Sequence, residues 1–284
     1  MTTPSNRTVL ITGTSSGIGL ATAIEAAKAG WTTIATLRNP DRSETLRAAA
    51  ADAGVTLDIR ALDVTDPAAV EREIGHCIDT YGQLDALVNN AGAATVGTSE
   101  MLSMDDFRAA MEVNYFGVVA LTRAALPHLR RSRGRVIAVS SVGGVVGQPF
   151  NEAYCASKFA VEGFLESLQP VAMSVGVGVH IIEPGAVSSD FVANAGVDID
   201  ALRADVGPYQ SALSAYVDRT MRQYANSTAQ TSREVAEVVL ATMMDEDPAF
   251  RIQTSQAARS FVATKLADLD GSRVSAVTTA WLGL

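Results

Sequence analysis

The chain has 284 residues, 48% hydrophobic and 19% charged, with 22 Gly and 9 Pro. That balance supplies a large apolar core and excludes disorder, collagen and coiled coil. A net charge of −9 argues against a broad phosphate-binding face, so nucleic acid is not an expected partner. Two cysteines, Cys77 and Cys155, are too few for a disulfide scaffold and fit a reducing compartment. The opening MTTPSNR is polar and lacks the apolar core of a signal peptide, and no run of about 20 apolar residues occurs. A soluble, cytoplasmic protein without a membrane span is the expectation.

Short β-branched runs alternate with longer helical patterns. Strands are expected at Thr8-Thr12, Thr32-Thr36, Thr56-Leu62, Leu84-Val88, Arg135-Ser140 and Val177-Ile182, several as continuous apolar runs such as VLIT and RVIAVS. Such runs suit parallel strands buried on both faces. Asp66-Pro67 reads as an N-cap with an N1 proline. A long helix is expected from Asp105 to about Arg131, ending in the basic run Arg130-Arg135, and another from Glu152 to about Ser174. The alternation predicts an α/β fold: a Rossmann-like, doubly wound parallel sheet flanked by helices, in one domain over 1–284. After Ala186 the pattern becomes loop-like. Leu213, Tyr216, Val217, Met221 and Tyr224 then form an apolar stripe at helical spacing. Thr231 and Glu234 make a capping box, and a short strand is expected at Phe250-Thr254.

Chemistry enters at the end of the first strand. Gly13, Gly17 and Gly19, with Ser15, Ser16 and Ile18 between them, form a G-x-x-x-G-x-G turn into a helix. Bare glycine lets main chain approach a pyrophosphate, and the helix N-terminus offers N–H donors. At the end of the second strand, Leu37-Arg38 stands where an NAD enzyme normally has an acid. Arg38 can make charge-assisted bonds to a 2′-phosphate, so NADP(H) is expected over NAD.

Tyr154 and Lys158 lie four residues apart, on one helix face. A tyrosine has an ordinary pKa of about 10, and a nearby ammonium favours the phenolate, making Tyr154 a usable proton donor and acceptor. Ser141 follows the strand RVIAVS at the sheet edge where ligands bind. Asn89-Asn90-Ala91-Gly92 occupies the same edge. Asn114 falls inside a helical pattern, an unfavourable place unless its amide is used. The three histidines, His76, His128 and His180, show no ligand spacing, and no metal site is expected. Cys155 reads as a small packed residue.

From about Arg7 to Phe191 the sequence resembles the short-chain dehydrogenases/reductases. The resemblance rests on Thr12-Gly19, Asn89-Gly92, Ser141, Asn114 and the Y-x-x-x-K of Tyr154-Lys158. It implies that Tyr154 protonates a carbonyl oxygen to which Ser141 hydrogen-bonds. Lys158 would lower the tyrosine pKa and bind the nicotinamide ribose, while Asn114 holds a water in the proton relay. It further implies that Asp63-Val64 contacts adenine, and that Asn90, Ala91, Gly92, Pro184, Gly185, Val187 and Ser189 lie along the cofactor. The family usually has threonine where this chain has Ser189.

Gln148-Asn151 and Ala156-Gly163 are similar to the branch holding hydroxysteroid and retinol dehydrogenases, which implies a bulky apolar alcohol or ketone. The estradiol-type enzymes use a C-terminal histidine, and none follows His180, which argues against an estrogen. Residues 186–230 are expected to form a substrate loop and helical lid, with Phe191 and Val145-Val146 lining a pocket, and 231–284 a helix–strand segment. A homodimer or homotetramer is implied by the family. A non-catalytic NADP-sensing regulator and a reductase of smaller ketones or ketoacyl esters are the alternatives.

Overall fold

The computed structural model describes residues 7–188, 206–225 and 229–283, with the side chains of 223–225 excluded. Seven strands form one parallel sheet: β1 (Thr8–Thr12), β2 (Thr32–Leu37), β3 (Asp58–Ala61), β4 (Ala86–Asn89), β5 (Arg135–Val139), β6 (Gly178–Glu183) and, at the far edge, a strand over Arg251–Gln253. Their spatial order is β3-β2-β1-β4-β5-β6 followed by that edge strand. The order reverses beside β1, so a crevice opens between β1 and β4 at their carboxyl ends.

Apolar runs become strands here because both faces are covered. Leu10, Ile34, Leu87 and Val136 point to one side. Val9, Ile11, Ala35, Val88 and Ile137 point to the other. This is the period of two that a pleated strand imposes. The first side packs against α3 (Pro67–Tyr81), α5 (Gly117–Ser132) and α6 (Glu152–Met173), through Ile74, Leu121, Leu129 and Leu165. Each of these fully buried side chains contributes about 1.5–3 kcal/mol. The second side packs against α1 (Gly17–Lys28), α2 (Glu44–Ala53) and a later helix over Ser232–Met244. Asp66 caps α3 as expected, its carboxylate accepting from Ala68 N at 2.9 Å.

Several boundaries differ from the sequence reading. The third strand is shorter than Thr56-Leu62, and β5 stops at Val139, leaving Ser140 and Ser141 in the loop. The long helix starts earlier than Asp105, because Ser103 and Asp106 form a reciprocal capping box before α4 (Met104–Met111). It then passes through a π turn at Glu112–Phe116 before α5. The turn inserts a residue into the helical ladder, which places Asn114 fully inside the fold.

Beyond β6, β7 (Val187–Ser188) pairs with β8 (Gln230–Thr231). Between them in sequence lies α7 (Gln210–Ala225), and after them come α8 (Ser232–Met244), β9 (Arg251–Gln253), α9 (Gln256–Leu266) and α10 (Ser272–Trp281). The Thr231–Glu234 capping box forms as expected. The stripe on α7 is narrower than expected: Leu213 and Val217 are buried, whereas Met221 is 60% exposed. The Tyr224 side chain, Phe191 and Ser189 lie outside the described residues. The basic run at the end of α5 serves a different helix as well as its own. Arg133 closes α5 with φ 54, while Arg135 donates to the carbonyls of Thr242 and Asp245 at the end of α8.

Candidate functional site

The glycine turn between β1 and α1 is bound on both sides. Thr14 donates through its N–H (3.0 Å) and hydroxyl (3.1 Å) to Thr36 O, fixing the turn to β2. Asn90 Nδ2 donates to Thr12 O (2.9 Å) and Gly13 O (3.1 Å), and Thr12 Oγ1 accepts from Asn90 N and Ala91 N at 3.0 and 2.9 Å. The Asn90 side chain therefore braces the turn. Gly13 has φ +70, and a Cβ there would lie 2.8 Å from Ala91 Cα. At Gly19 a Cβ would meet Gly13 O at 2.2 Å and Asn90 Nδ2 at 2.3 Å. Only glycine fits, so the turn presents main chain rather than side chains to the crevice.

Ser15, Ser16, Gly17 and Ile18 are half-exposed at the start of α1, whose first turn holds no acidic residue. The positive end of this helix is open to an anion. Arg38 is exposed directly after β2. Beyond β3, Asp63 accepts from Thr65 N (3.0 Å) and Oγ1 (2.8 Å), and buried Val64 packs against Gly117. A bare turn, an open helix end and an exposed guanidinium along one edge fit a nicotinamide dinucleotide.

The four residues expected to carry chemistry converge at the next part of this edge. Ser141 caps a short turn over Val142–Gly144, its Oγ accepting from Gly143 N at 3.0 Å while its own proton stays available to donate. Val142 N donates to Pro184 O at 2.9 Å, which ties this turn to the segment after β6. Across Gly143 stands Tyr154 from α6. A Cβ on Gly143 would lie 3.3 Å from Tyr154 Cε1 and 3.4 Å from Ser141 Oγ. Gly143 thus keeps the gap between hydroxyl and phenol clear, a requirement absent from the sequence reading.

Lys158 lies one helical turn beyond Tyr154, its Nζ 5.9 Å from the phenol ring centroid. It is buried and donates to Val139 O at 3.0 Å. Burial pushes its pKa down to about 8, against the pull of the Glu162 charge. Asn114 is 0% exposed. Its Oδ1 accepts from Ala93 N at 2.8 Å, and Nδ2 donates to Ala93 O at 3.0 Å and Ser157 Oγ at 2.9 Å. Both amide hydrogens are consumed within the protein. A Cβ on Gly92 would lie 3.2 Å from Asn114 Oδ1 and 3.8 Å from Lys158 Nζ, so Asn89-Gly92 meets the same spot.

Of the remaining cofactor candidates, buried Pro184 and half-exposed Gly185 follow β6, and Val187 pairs with Gln230 in the β7–β8 ladder. Cys155 and Cys77 are buried, with thiols pushed up to about 11 and about 12 by burial, as packed residues should be.

An apolar cluster borders the start of α6. Phe150, Val206, Leu213 and Val217 are buried together, with Met101, Tyr209 and Tyr216 against them. Asn151 Nδ2 donates to Tyr216 Oη at 2.6 Å, linking α7 to the N-terminus of α6. Phe150 adopts φ 57, uncommon for a non-glycine residue and found most often where a site holds backbone strain. Val145 and Val146, expected beside the α7 stripe, pack instead against Ala258 and Val262 of α9. The turn after Ser141 runs toward the C-terminal helices, which separates the two apolar groups. Among the described residues no helix is long and apolar enough to cross a membrane.

Comparison with known proteins agrees with this geometry. The family described as short chain dehydrogenase matches residues 7–200. Retinol dehydrogenase 8 of Bos taurus is 36% identical over 274 residues, covering 94% of this chain and 87% of the bovine protein. Human 17-beta-hydroxysteroid dehydrogenase type 1 is also 36% identical, over 93% of this chain and 82% of its own. The structure of an actinorhodin polyketide ketoreductase variant with NADPH superposes with a TM-score of 0.75 at 28% identity, covering 89% of this chain and 97% of that one. The chain belongs to the short-chain dehydrogenase family, in its hydroxysteroid and retinol branch, and is an oxidoreductase.

Proposed function

We propose that this oxidoreductase interconverts a carbonyl and a secondary alcohol on a bulky, mostly apolar substrate, with NADP(H) as its cofactor. The observation that carries the reading is the approach of Ser141 Oγ and the Tyr154 ring to one point at Gly143, with Lys158 Nζ behind the phenol. The nicotinamide, when bound, supplies or takes the hydride. A carbonyl oxygen placed over Gly143 accepts a hydrogen bond from Ser141 and a proton from Tyr154. The Lys158 ammonium beside the phenol ring stabilises negative charge on its oxygen, which favours proton transfer from Tyr154. Asn114 acts by clamping Ala93 and Ser157 beside Lys158, since its amide hydrogens are already used.

The Gly13–Gly19 turn would hold the pyrophosphate, Asp63 and Val64 the adenine, and Pro184, Gly185 and Val187 the nicotinamide end. Arg38 would face the 2′-phosphate, a preference supported by the NADPH bound in the ketoreductase relative. The Phe150–Leu213–Val217 cluster at the start of α6 would supply an apolar wall for the substrate, with α7 as the lid. The retinol and hydroxysteroid dehydrogenase relatives support that substrate class.

The test is cofactor oxidation with steroid ketones, retinal, aromatic ketones, ketoacyl esters and sugars, NADPH and NADH in parallel. Turnover with bulky apolar carbonyls and NADPH is expected, with a loss of about a hundredfold or more in Tyr154→Phe. Equal use of NADH would overturn the Arg38 assignment. Cofactor binding without turnover on any carbonyl would favour a regulator on the same fold.

A further inference from the structure

Behind Lys158 lies a second buried charged group that the reaction as proposed does not use. Glu162, one turn beyond Lys158 on α6, is 2% exposed, and Glu183 at the end of β6 is 0% exposed. Arg251 of β9 donates to Glu162, to Glu183 at 3.2 Å and to Glu166 of α6 at 2.9 Å. Gln253 Nε2 adds a bond to Glu183 at 2.9 Å. From the end of β5, Ser140 Oγ comes close to Glu162 Oε1, the two lying 2.6 and 2.7 Å from the point a Cβ on Gly144 would occupy. The Glu162 carboxyl therefore touches the loop that carries Ser141 as well as the helix that carries Tyr154 and Lys158.

Three carboxylates share one guanidinium, and two of the three are out of water. Such a group cannot keep all its charges without cost. Burial and the Glu183 charge push Glu162 up to about 7, while Arg251 pulls it down. Lys158 is a buried ammonium that donates to a neutral carbonyl, Val139 O, at 3.0 Å. Glu162 lies one helical turn from Lys158 on α6, both side chains are buried, and its charge raises the lysine pKa against burial.

We propose that Glu162 is a positioning residue that acts through Lys158: its carboxylate, held ionised by Arg251 against Glu183, keeps the buried lysine an ammonium. The inference deepens the reading of Lys158 given above. Below the Glu162 titration the lysine loses its counter-charge; above it the pair is complete. The identity of the residue at 251 then sets the pH range over which the phenol is tuned.

The chain has three lysines, Lys28, Lys158 and Lys265, and the other two are exposed, so ¹³C-lysine NMR of the whole protein resolves Lys158 directly. Glu162→Gln is expected to lower the Lys158 midpoint by about half a pH unit or more. Arg251→Gln should lower it too, by leaving Glu162 protonated at higher pH. Glu183→Gln removes a carboxylate from the same group but leaves Glu162 ionised, so the midpoint should stay in place. An unchanged midpoint in both Glu162→Gln and Arg251→Gln, or equal shifts in all three variants, overturns the inference and leaves the cluster as a brace between α6 and β9. A midpoint that moves while the alkaline limb of kcat/KM stays fixed would instead refute the role of Lys158 in turnover.

Discussion

Replacing Asn114 by alanine tests whether its amide is a clamp. The side chain makes three hydrogen bonds, at 2.8, 3.0 and 2.9 Å, joining the segment after β4 to α6 from a fully buried position. Each is worth about 1 kcal/mol net, so Asn114→Ala removes about 3 kcal/mol. That is a large part of a stability of about 5–15 kcal/mol. For a chain of this size, about 2–4 °C of Tm per kcal/mol converts the loss to about 6–12 °C. Thermal unfolding followed by circular dichroism reads this directly. Asn114→Asp is the informative companion, because it keeps an acceptor for Ala93 N but sets an oxygen against Ala93 O. It should therefore restore less than half of the loss. A Tm within about 2 °C of wild type in the alanine variant would refute the reasoning, since a buried three-bond bridge cannot vanish silently.

Two more outcomes follow from geometry and charge. Gly19→Ala places a methyl 2.2 Å from Gly13 O, so NADPH binding by titration calorimetry should fall by about a hundredfold or more, whereas Gly30→Ala, with φ +85 and nothing within 4 Å, should bind normally at a stability cost of about 1 kcal/mol. Equal affinity in the two variants would remove the turn from the cofactor site. Glu162 is raised from 4.5 to about 7 on folding, so the native state binds the extra proton in that window. Its contribution to stability is then present below pH about 4.5 and lost as pH rises to about 7. Urea unfolding at pH 5 and 7.5 should show that loss in wild type and not in Glu162→Gln; identical differences in both would contradict the burial argument.

The sheet was legible because its inner strands are buried on both faces, and because Asp66 and Thr231–Glu234 announce their helices through local side-chain bonds. The site was legible where chemistry demands particular residue types at fixed helical spacing, as at Tyr154 and Lys158. What escaped depends on packing partners that lie far apart in the chain. The π turn changes the period by a single residue within EVNYF, which reads as ordinary helix. Met221 and Leu213 share one helical stripe, and only the position of Phe150 and Val206 decides which of them is covered. That Val145 and Val146 join α9 rather than the α7 stripe is not written locally, because nothing in their segment says that α9 returns to them. Glu162 did leave a signal: an acid on the apolar face of α6, one turn after Lys158. Its partner, Arg251, is a matter of topology.

The position of β1 in the middle of the sheet has a consequence for how the chain is made. Val9 pairs with Thr33 on one side and with Ala86 on the other, and the glycine turn is closed by bonds from Asn90 and Ala91. All neighbours are parallel, so no adjacent hairpin can form first, and each pairing waits for a crossover. During synthesis the first 60 residues can hold β1 against β2 and tie Thr14 to Thr36, but they leave the other side of the turn open. Only when the chain has emerged past Ala91 does Gly13 acquire the neighbours that set its conformation. The glycine turn, encoded near the start, is completed by Asn90 and Ala91, and an N-terminal fragment that stops short of them carries the motif without the bonds that close it.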